Sequence, residues 1–182
     1  MAARYVQLNM VLTNAFSMVR RLRHSDLARA AALQRAAFPG PAGLPLSTAF
    51  TEAQFAEELE RSRSCTLAVE GADGVLVGTL VAWFVADEFQ LHNIAVDPGW
   101  RRHGHARQLL NALVEEAYTQ QVNVGYLEVE AVNAAAIALY RQWGAHALNV
   151  RRAYYVDGGD ALEMRIFLDA KAGVVVAAPD EI

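Results

Sequence analysis

Six residues just past the middle of the chain, Arg101-Arg102-His103-Gly104-His105-Ala106, separate a strand-like run from an amphipathic helix pattern, and this passage constrains the fold more than any other. Upstream, Leu91-His92-Asn93-Ile94-Ala95-Val96 is rich in strand formers and closes on the turn signal Asp97-Pro98-Gly99. Downstream, Ala106, Leu109, Leu110, Leu113, Val114 and Ala117 repeat at helical spacing, which predicts a helix from about Gly104 to Gln121. Gly104 therefore stands where that helix opens. A helix start carries unpaired backbone N–H groups and the positive end of the helix dipole, and small residues such as Gly104 and Ala106 let an anion come close to them. Arg101, Arg102 and Arg107 add charge at the same place, so the loop suits a pyrophosphate better than a neutral ligand. His105-Ala106-Arg107 stand where a nucleoside-triphosphate loop needs Lys and Ser or Thr, and the loop lies too late in the chain for a dinucleotide fold.

The rest of the chain reads as a mixed α/β domain. Strand patterns cover 16–23, 65–70 and 75–86, the last two joined by the hairpin signal Gly71-Ala72-Asp73-Gly74. Helix patterns cover 26–38, with Ser25 or Asp26 as the cap, and 51–63, with Phe55 and Leu59 facing inward. Pro39, Pro41 and Pro45 with Gly40 and Gly43 make residues 38–48 a loop. A strand holds Leu127-Glu128-Val129-Glu130, a helix follows from Asn133 to Gln142, and two strands at 146–156 and 161–168 flank Asp157-Gly158-Gly159-Asp160. With 182 residues, 54% hydrophobic, one domain is expected, and a net charge of −4 gives no sign of nucleic-acid binding. No apolar run reaches the roughly 18 residues a membrane span needs, so a cytoplasmic protein without a membrane partner is expected. Cys65 reads as a strand thiol, and His92, His103 and His105 have no Cys or paired acid at ligand spacing, so no metal is expected.

Asn93-Ile94-Ala95-Val96-Asp97-Pro98, the loop after it, Leu127-Glu128-Val129, Asn133-Ala134-Ala135-Ala136-Ile137-Ala138-Leu139-Tyr140 and Arg151-Arg152-Ala153-Tyr154-Tyr155 occur in an order that resembles the GNAT superfamily of N-acetyltransferases. Within it they are most similar to the bacterial ribosomal-protein-alanine N-acetyltransferases. The resemblance covers roughly residues 18–168, leaving 1–17 as an N-terminal extension and 169–182 as a tail. It implies a partly splayed central sheet flanked by helices, acetyl-coenzyme A as donor, and the N-terminal amine of an Ala- or Ser-led ribosomal protein as acceptor. The donor's pyrophosphate would sit on Arg102, His103, Gly104, His105, Ala106 and Arg107, its pantetheine arm on the backbone of Ile94, Ala95 and Val96, with Asn133 as a further contact. The cofactor would lie between the strand ending at Val96 and the strand containing Glu128.

Acetyl transfer needs a group to take the amine's proton and one to protonate the departing thiolate. An α-amino group has a pKa of about 7.7–8.0, so modest basic assistance suffices near neutrality. Strand alternation turns Leu127 and Val129 one way and Glu128 and Glu130 the other, a waste of carboxylates unless the second face is solvated or functional. The family resemblance assigns Glu128 as proton acceptor, with Glu130 as the fallback, and Tyr140 as proton donor. The residues themselves leave other roles open: Tyr140 as a core aromatic and Asn133 as a helix cap, two turns away, would look the same. A small-molecule amine or polyamine acetyltransferase and a non-catalytic acyl-coenzyme A-binding module are the alternative functions. Two departures from the family pattern stand out. Ala106 replaces the commoner final glycine of the loop, and Phe38-Pro39-Gly40-Pro41 opens a longer loop where the acceptor-binding region falls.

Overall fold

The computed structural model describes residues 18–40, 49–169 and 171–177. The N-terminal extension, most of the 38–48 loop and the end of the tail lie outside the described residues. The elements are β1 (Val19–Arg21), α1 (Leu27–Ala37), α2 (Glu52–Glu60), β2 (Ser64–Glu70), β3 (Leu76–Val85), β4 (Glu88–Val96), α3 (His105–Thr119), β5 (Val124–Glu130), α4 (Ala134–Trp143), β6 (His146–Arg151), β7 (Ala161–Asp169) and β8 (Val174–Val176). This is the expected mixed α/β sheet with helices. Residue contacts gather into two compact units, one of described residues 18–83 and 92–113, the other of 84–91 and 114–177.

In the first unit the strands follow the order β1-β2-β3-β4. Strands β2 and β3, each buried along nearly its whole length, pair antiparallel from Ser64↔Trp83 to Glu70↔Leu76, and β1 adds to the free side of β2 through Val19↔Val69. Helix α1 presents Ala30, Leu33 and Ala37 to Ala68, Val81 and Ala95 of the sheet, with Phe55 of α2 fully buried in the same cluster. Thr51 starts α2 with a reciprocal capping box: its Oγ1 accepts from Gln54 N–H, and the Gln54 side chain accepts from Thr51 N–H. Helix α1 starts differently from expectation. Neither Ser25 nor Asp26 caps it, because the Asp26 carboxylate accepts from Arg23 N–H at 2.8 Å and from the Arg20 guanidinium at 2.7 and 3.0 Å. That engagement turns the chain after β1, so the strand spans only Val19–Arg21 of the expected 16–23, whose first two residues are not described.

A buried polar junction fixes α1 to β3 and β4. The Gln34 amide, fully buried, donates to Thr79 Oγ1 at 3.0 Å and to Asn93 Oδ1 at 2.6 Å, while its oxygen accepts from Phe50 N–H at 3.2 Å. Asn93 immediately precedes Ile94-Ala95-Val96, so the junction sets the position of that stretch of backbone.

In the second unit the order is β4-β5-β7-β6, with β8 pairing Phe167–Asp169 of β7 beyond the stretch that pairs with β6. Residues Glu88–Leu91 of β4 pair parallel with Val124–Leu127, and β5 then continues alone toward β7 through Glu128↔Glu163 and Glu130↔Ala161. The ring of Phe89 lies over Gly125, where a Cβ would overlap it, and stacks at an angle with Phe84 and Trp143. Asn133 caps α4 through Ala136 N–H at 3.1 Å, and Gly144 ends it at φ 104°, the left-handed conformation glycine adopts without strain. Strand β6 stops at Arg151 rather than 156, because Asp160 accepts from Ala153 N–H at 2.9 Å and pairs with Arg152, folding the chain back into a turn. The three-residue β8 was not expected as a strand.

Replacing Gln34 by Leu is expected to lower unfolding free energy by about 1–3 kcal/mol, since Phe50 N–H and Thr79 lose their buried partner. Chemical denaturation of the variant checks this, and an unchanged midpoint would mean the junction contributes nothing net.

Candidate active site

Two groups of ionisable side chains stand out, one in each unit. The first is built where β4 ends. Asp97 Oδ1 accepts from Gly99 N–H at 3.0 Å and directs the chain into a short 3-10 turn, Pro98–Trp100. The next residues cross into the left-handed region twice, at Arg102 (φ 68°) and Gly104 (φ 86°), and α3 begins at His105. The first bond within α3 runs from Gln108 N–H to Gly104 C=O at 3.0 Å, so the N–H groups of His105, Ala106 and Arg107 precede the helical ladder. A Cβ at Gly104 would meet nothing within 4 Å, so glycine serves the backbone angle here and the space beside it is open. Open space, the N–H groups of the first turn of α3 and the exposed side chains of Arg102, His103 and Arg107 fit an anionic group. Ile94, Ala95 and Val96 lie on β4 directly before this turn.

Two residues of the loop differ from expectation. Arg101 is a strap: its guanidinium donates to Ala37 C=O at 3.0 Å and to Val96 C=O at 3.4 Å, joining the end of α1 to the end of β4. His105 was expected to be solvated or phosphate-facing, yet it is only 6% exposed, with the Gln108 side chain as its hydrogen-bonding neighbour. Its ring meets Trp100 edge-on at 5.9 Å, and burial holds its pKa below the ordinary histidine value. The buried stripe of α3 thus begins at His105, and Ala106 is only half-buried.

The second group surrounds Glu128 on β5. The expected alternation holds: Leu127 and Val129 are buried, whereas the Glu128 side chain is 35% exposed. Glu128 Oε1 accepts from Arg151 Nη1 at 2.5 Å and Oε2 from the Tyr154 hydroxyl at 2.6 Å. Arg151 also reaches Glu163, the residue opposite Glu128 on β7, at 3.7 Å, and its guanidinium lies 4.3 Å from the centre of the Tyr154 ring. Tyr155 packs edge-on against Tyr154 at 5.2 Å, and burial with the nearby Glu130 and Glu128 pushes its phenol up to about 12. The hydrogen bond to Glu128 likewise raises Tyr154. Tyr140, on α4, is 6% exposed; burial and Tyr155 raise its phenol well above the usual range, so it keeps its proton at neutral pH. Asn133, two turns earlier, is exposed and engaged as the cap of α4. Arg151, Tyr154 and Tyr155 were legible only as parts of a motif, without roles of their own.

Beside this group, Ala131, Ala134, Ile137, Ala138, Arg141 and Gln142 line an open hollow of about 490 Å³ along α4. Among the described residues no three His, Cys, Asp or Glu side chains are placed to hold a metal ion, and no helix is long and apolar enough to cross a membrane.

Residues 28–145, which include the whole β4–loop–α3 passage and β5, match the model of the acetyltransferase (GNAT) family. The chain belongs to that family. It is 45% identical over 84 residues to the ribosomal protein bS18-alanine N-acetyltransferase of Salmonella typhimurium, a match covering 46% of this chain and 57% of that one. The chain thus spans little more than half the length of this curated relative. A putative enzyme of the same name from Bacillus subtilis is 29% identical over 152 residues, covering 83% of this chain and 95% of the relative. The crystal structure of the ribosomal-protein-S18-alanine N-acetyltransferase from Escherichia coli superposes with a TM-score of 0.70 at 30% identity, covering 92% of this chain and 99% of that one. The GNAT fold of this chain is therefore established, and its likeness within the family is to ribosomal-protein-alanine acetyltransferases.

Because folding lowers the pKa of His105 below that of the unfolded chain, the unfolded state binds the extra proton first as pH falls. The stability His105 costs therefore sets in below about pH 6.5, the unperturbed value. NMR titration of the five histidines is expected to give His105 a midpoint below that value. A midpoint at or above it would contradict the burial.

Proposed function

We propose that this chain transfers an acetyl group to the N-terminal α-amine of a protein, an Ala- or Ser-led ribosomal protein terminus, with Glu128 as proton acceptor and Tyr140 as proton donor. Acetyl-coenzyme A, the donor the family name implies, supplies the acetyl group as a thioester. The observation that carries the reading is the setting of Glu128: a half-exposed carboxylate in mid-strand, held on both oxygens, with three tyrosines grouped around its strand.

The residues of the chain then divide the work. The N–H groups of His105, Ala106 and Arg107, with the side chains of Arg102 and His103, hold the pyrophosphate, and Gly104 provides the backbone turn that aims them. The backbone of Ile94, Ala95 and Val96 binds the pantetheine arm and polarises the carbonyl oxygen, a contribution typically worth about 3 kcal/mol in acyl transfer. Glu128 takes the proton that the α-ammonium loses, so the free amine attacks the carbonyl carbon. As the carbon–sulfur bond breaks, Tyr140, which burial keeps protonated, donates to the developing thiolate, and the second proton that the nitrogen sheds as the amide forms restores the phenol while Glu128 releases its own to solvent. Asn133 supports the site as the cap that fixes the start of α4 and, through the helix, Tyr140. The acceptor class follows from the names of the relatives, and a cytoplasmic setting follows from that acceptor.

Incubating the protein with acetyl-coenzyme A and extracted ribosomal proteins, then mapping acetylated termini by mass spectrometry, tests the acceptor. Acetylation of an Ala- or Ser-led terminus is expected; labelling confined to lysine side chains or free polyamines would overturn it. Glu128→Gln and Tyr140→Phe are each expected to reduce kcat by about 10²–10⁴-fold, the usual span for general acid–base groups, with the Kd for acetyl-coenzyme A within a few-fold of wild type. Wild-type turnover in both variants would remove the mechanism.

A further inference from the structure

The proposed proton acceptor does not stand alone. In the β5–β7 register Glu128 lies directly opposite Glu163, an arrangement that sets two carboxylates side by side on one sheet face. Like charges in that position repel each other, and cross-strand neighbours of this kind destabilise a sheet unless a cation lies between them. Arg151, arriving from β6 across β7, supplies it: Nη1 is 2.5 Å from Glu128 Oε1 and 3.7 Å from Glu163 Oε1. The turn after β6 brings the Tyr154 hydroxyl to Glu128 Oε2 at 2.6 Å and places the Tyr154 ring against the Arg151 guanidinium at 4.3 Å. Glu128 is thereby gripped at both oxygens by two groups that also pack on each other. An exposed glutamate with several rotatable bonds would otherwise sample many rotamers, and a proton acceptor acts only within hydrogen-bond reach of the proton it takes.

We infer that Arg151, supported by Tyr154, is a positioning residue for Glu128: it offsets the charge of Glu163 and holds the Glu128 carboxylate in one orientation toward the acceptor amine. The inference rests on the reading of Glu128 as proton acceptor. A carboxylate oxygen accepts more than one hydrogen bond, so Glu128 can be held by Arg151 and Tyr154 and still receive a proton from the acceptor. The guanidinium suits the task better than an ammonium would, because its planar fork can span two carboxylates while its face lies on an aromatic ring. An extended electrostatic network of this kind makes the two residues act as a unit, and residues that act as a unit are non-additive when removed.

The test is a double-substitution cycle on the full chain, with kcat and KM for an Ala-led peptide measured at saturating acetyl-coenzyme A. Arg151→Ala is expected to lower kcat by about 10–100-fold, within the range general-base geometry controls, while peptide KM moves by less than about three-fold. Arg151→Lys should recover part of that loss, and added guanidinium ion should restore Arg151→Ala but leave Glu128→Gln unaffected. The double variant Glu128→Gln/Arg151→Ala should be no slower than Glu128→Gln alone. Circular dichroism and thermal melting of each variant separate this from loss of fold. A folded Arg151→Ala protein with wild-type kcat, or a double variant whose losses multiply, overturns the positioning role. If Glu128→Gln itself turns over normally, the proton-acceptor reading fails; if Glu128→Gln is slow and Arg151→Ala is not, only the inference about Arg151 fails.

Discussion

The interaction on which the second unit depends is the parallel ladder between β4 and β5. It comprises only Glu88–Leu91 and Val124–Leu127, anchored where the Phe89 ring covers Gly125. After its last pair, β4 runs on for Ile94-Ala95-Val96 and the anion-type turn, while β5 runs on for Glu128-Val129-Glu130 against β7. Each continuation is secured separately. The Gln34–Thr79–Asn93 junction and the Arg101 strap fix the end of β4; the cross-strand pairs with β7 fix the end of β5.

That arrangement explains which parts of the molecule the sequence revealed. The β4–loop–α3 passage was legible because the features that mark it in sequence are local: the Asp97 turn, the glycine at φ 86° and the apolar stripe of α3. The alternation that turns Glu128 outward was legible for the same reason, since it needs only the period of a strand. Helix α4 showed both its ends, Asn133 and Gly144, because caps are local chemistry.

The rest depended on partners far away in the chain. Arg101 looked like a phosphate ligand because its neighbours are arginine and histidine, yet Ala37 C=O, 64 residues earlier, takes its guanidinium. His105 looked like a loop residue, but the first turn of α3 rotates its ring onto Trp100, so burial rather than solvent sets its charge. Arg151 and Tyr154 reach Glu128 across 23 and 26 residues, through a strand order in which β7 inserts between β5 and β6. No periodicity announces such a register, and the shortened β6 that delivers Tyr154 arises from the Asp160 carboxylate taking Ala153 N–H.

The proposed division of labour gives the donor to backbone at the end of β4 and the start of α3, and the acceptor to side chains around Glu128. Hydrogen–deuterium exchange resolved to single amides tests it in one measurement, comparing the free protein with protein saturated by coenzyme A and by an Ala-led peptide. Coenzyme A is expected to slow exchange at residues 94–96 and 105–107, and the peptide at residues 152–156 near Tyr154 and Tyr155. Protection of neither segment by coenzyme A, or protection of the β4–α3 amides by the peptide alone, would contradict the account.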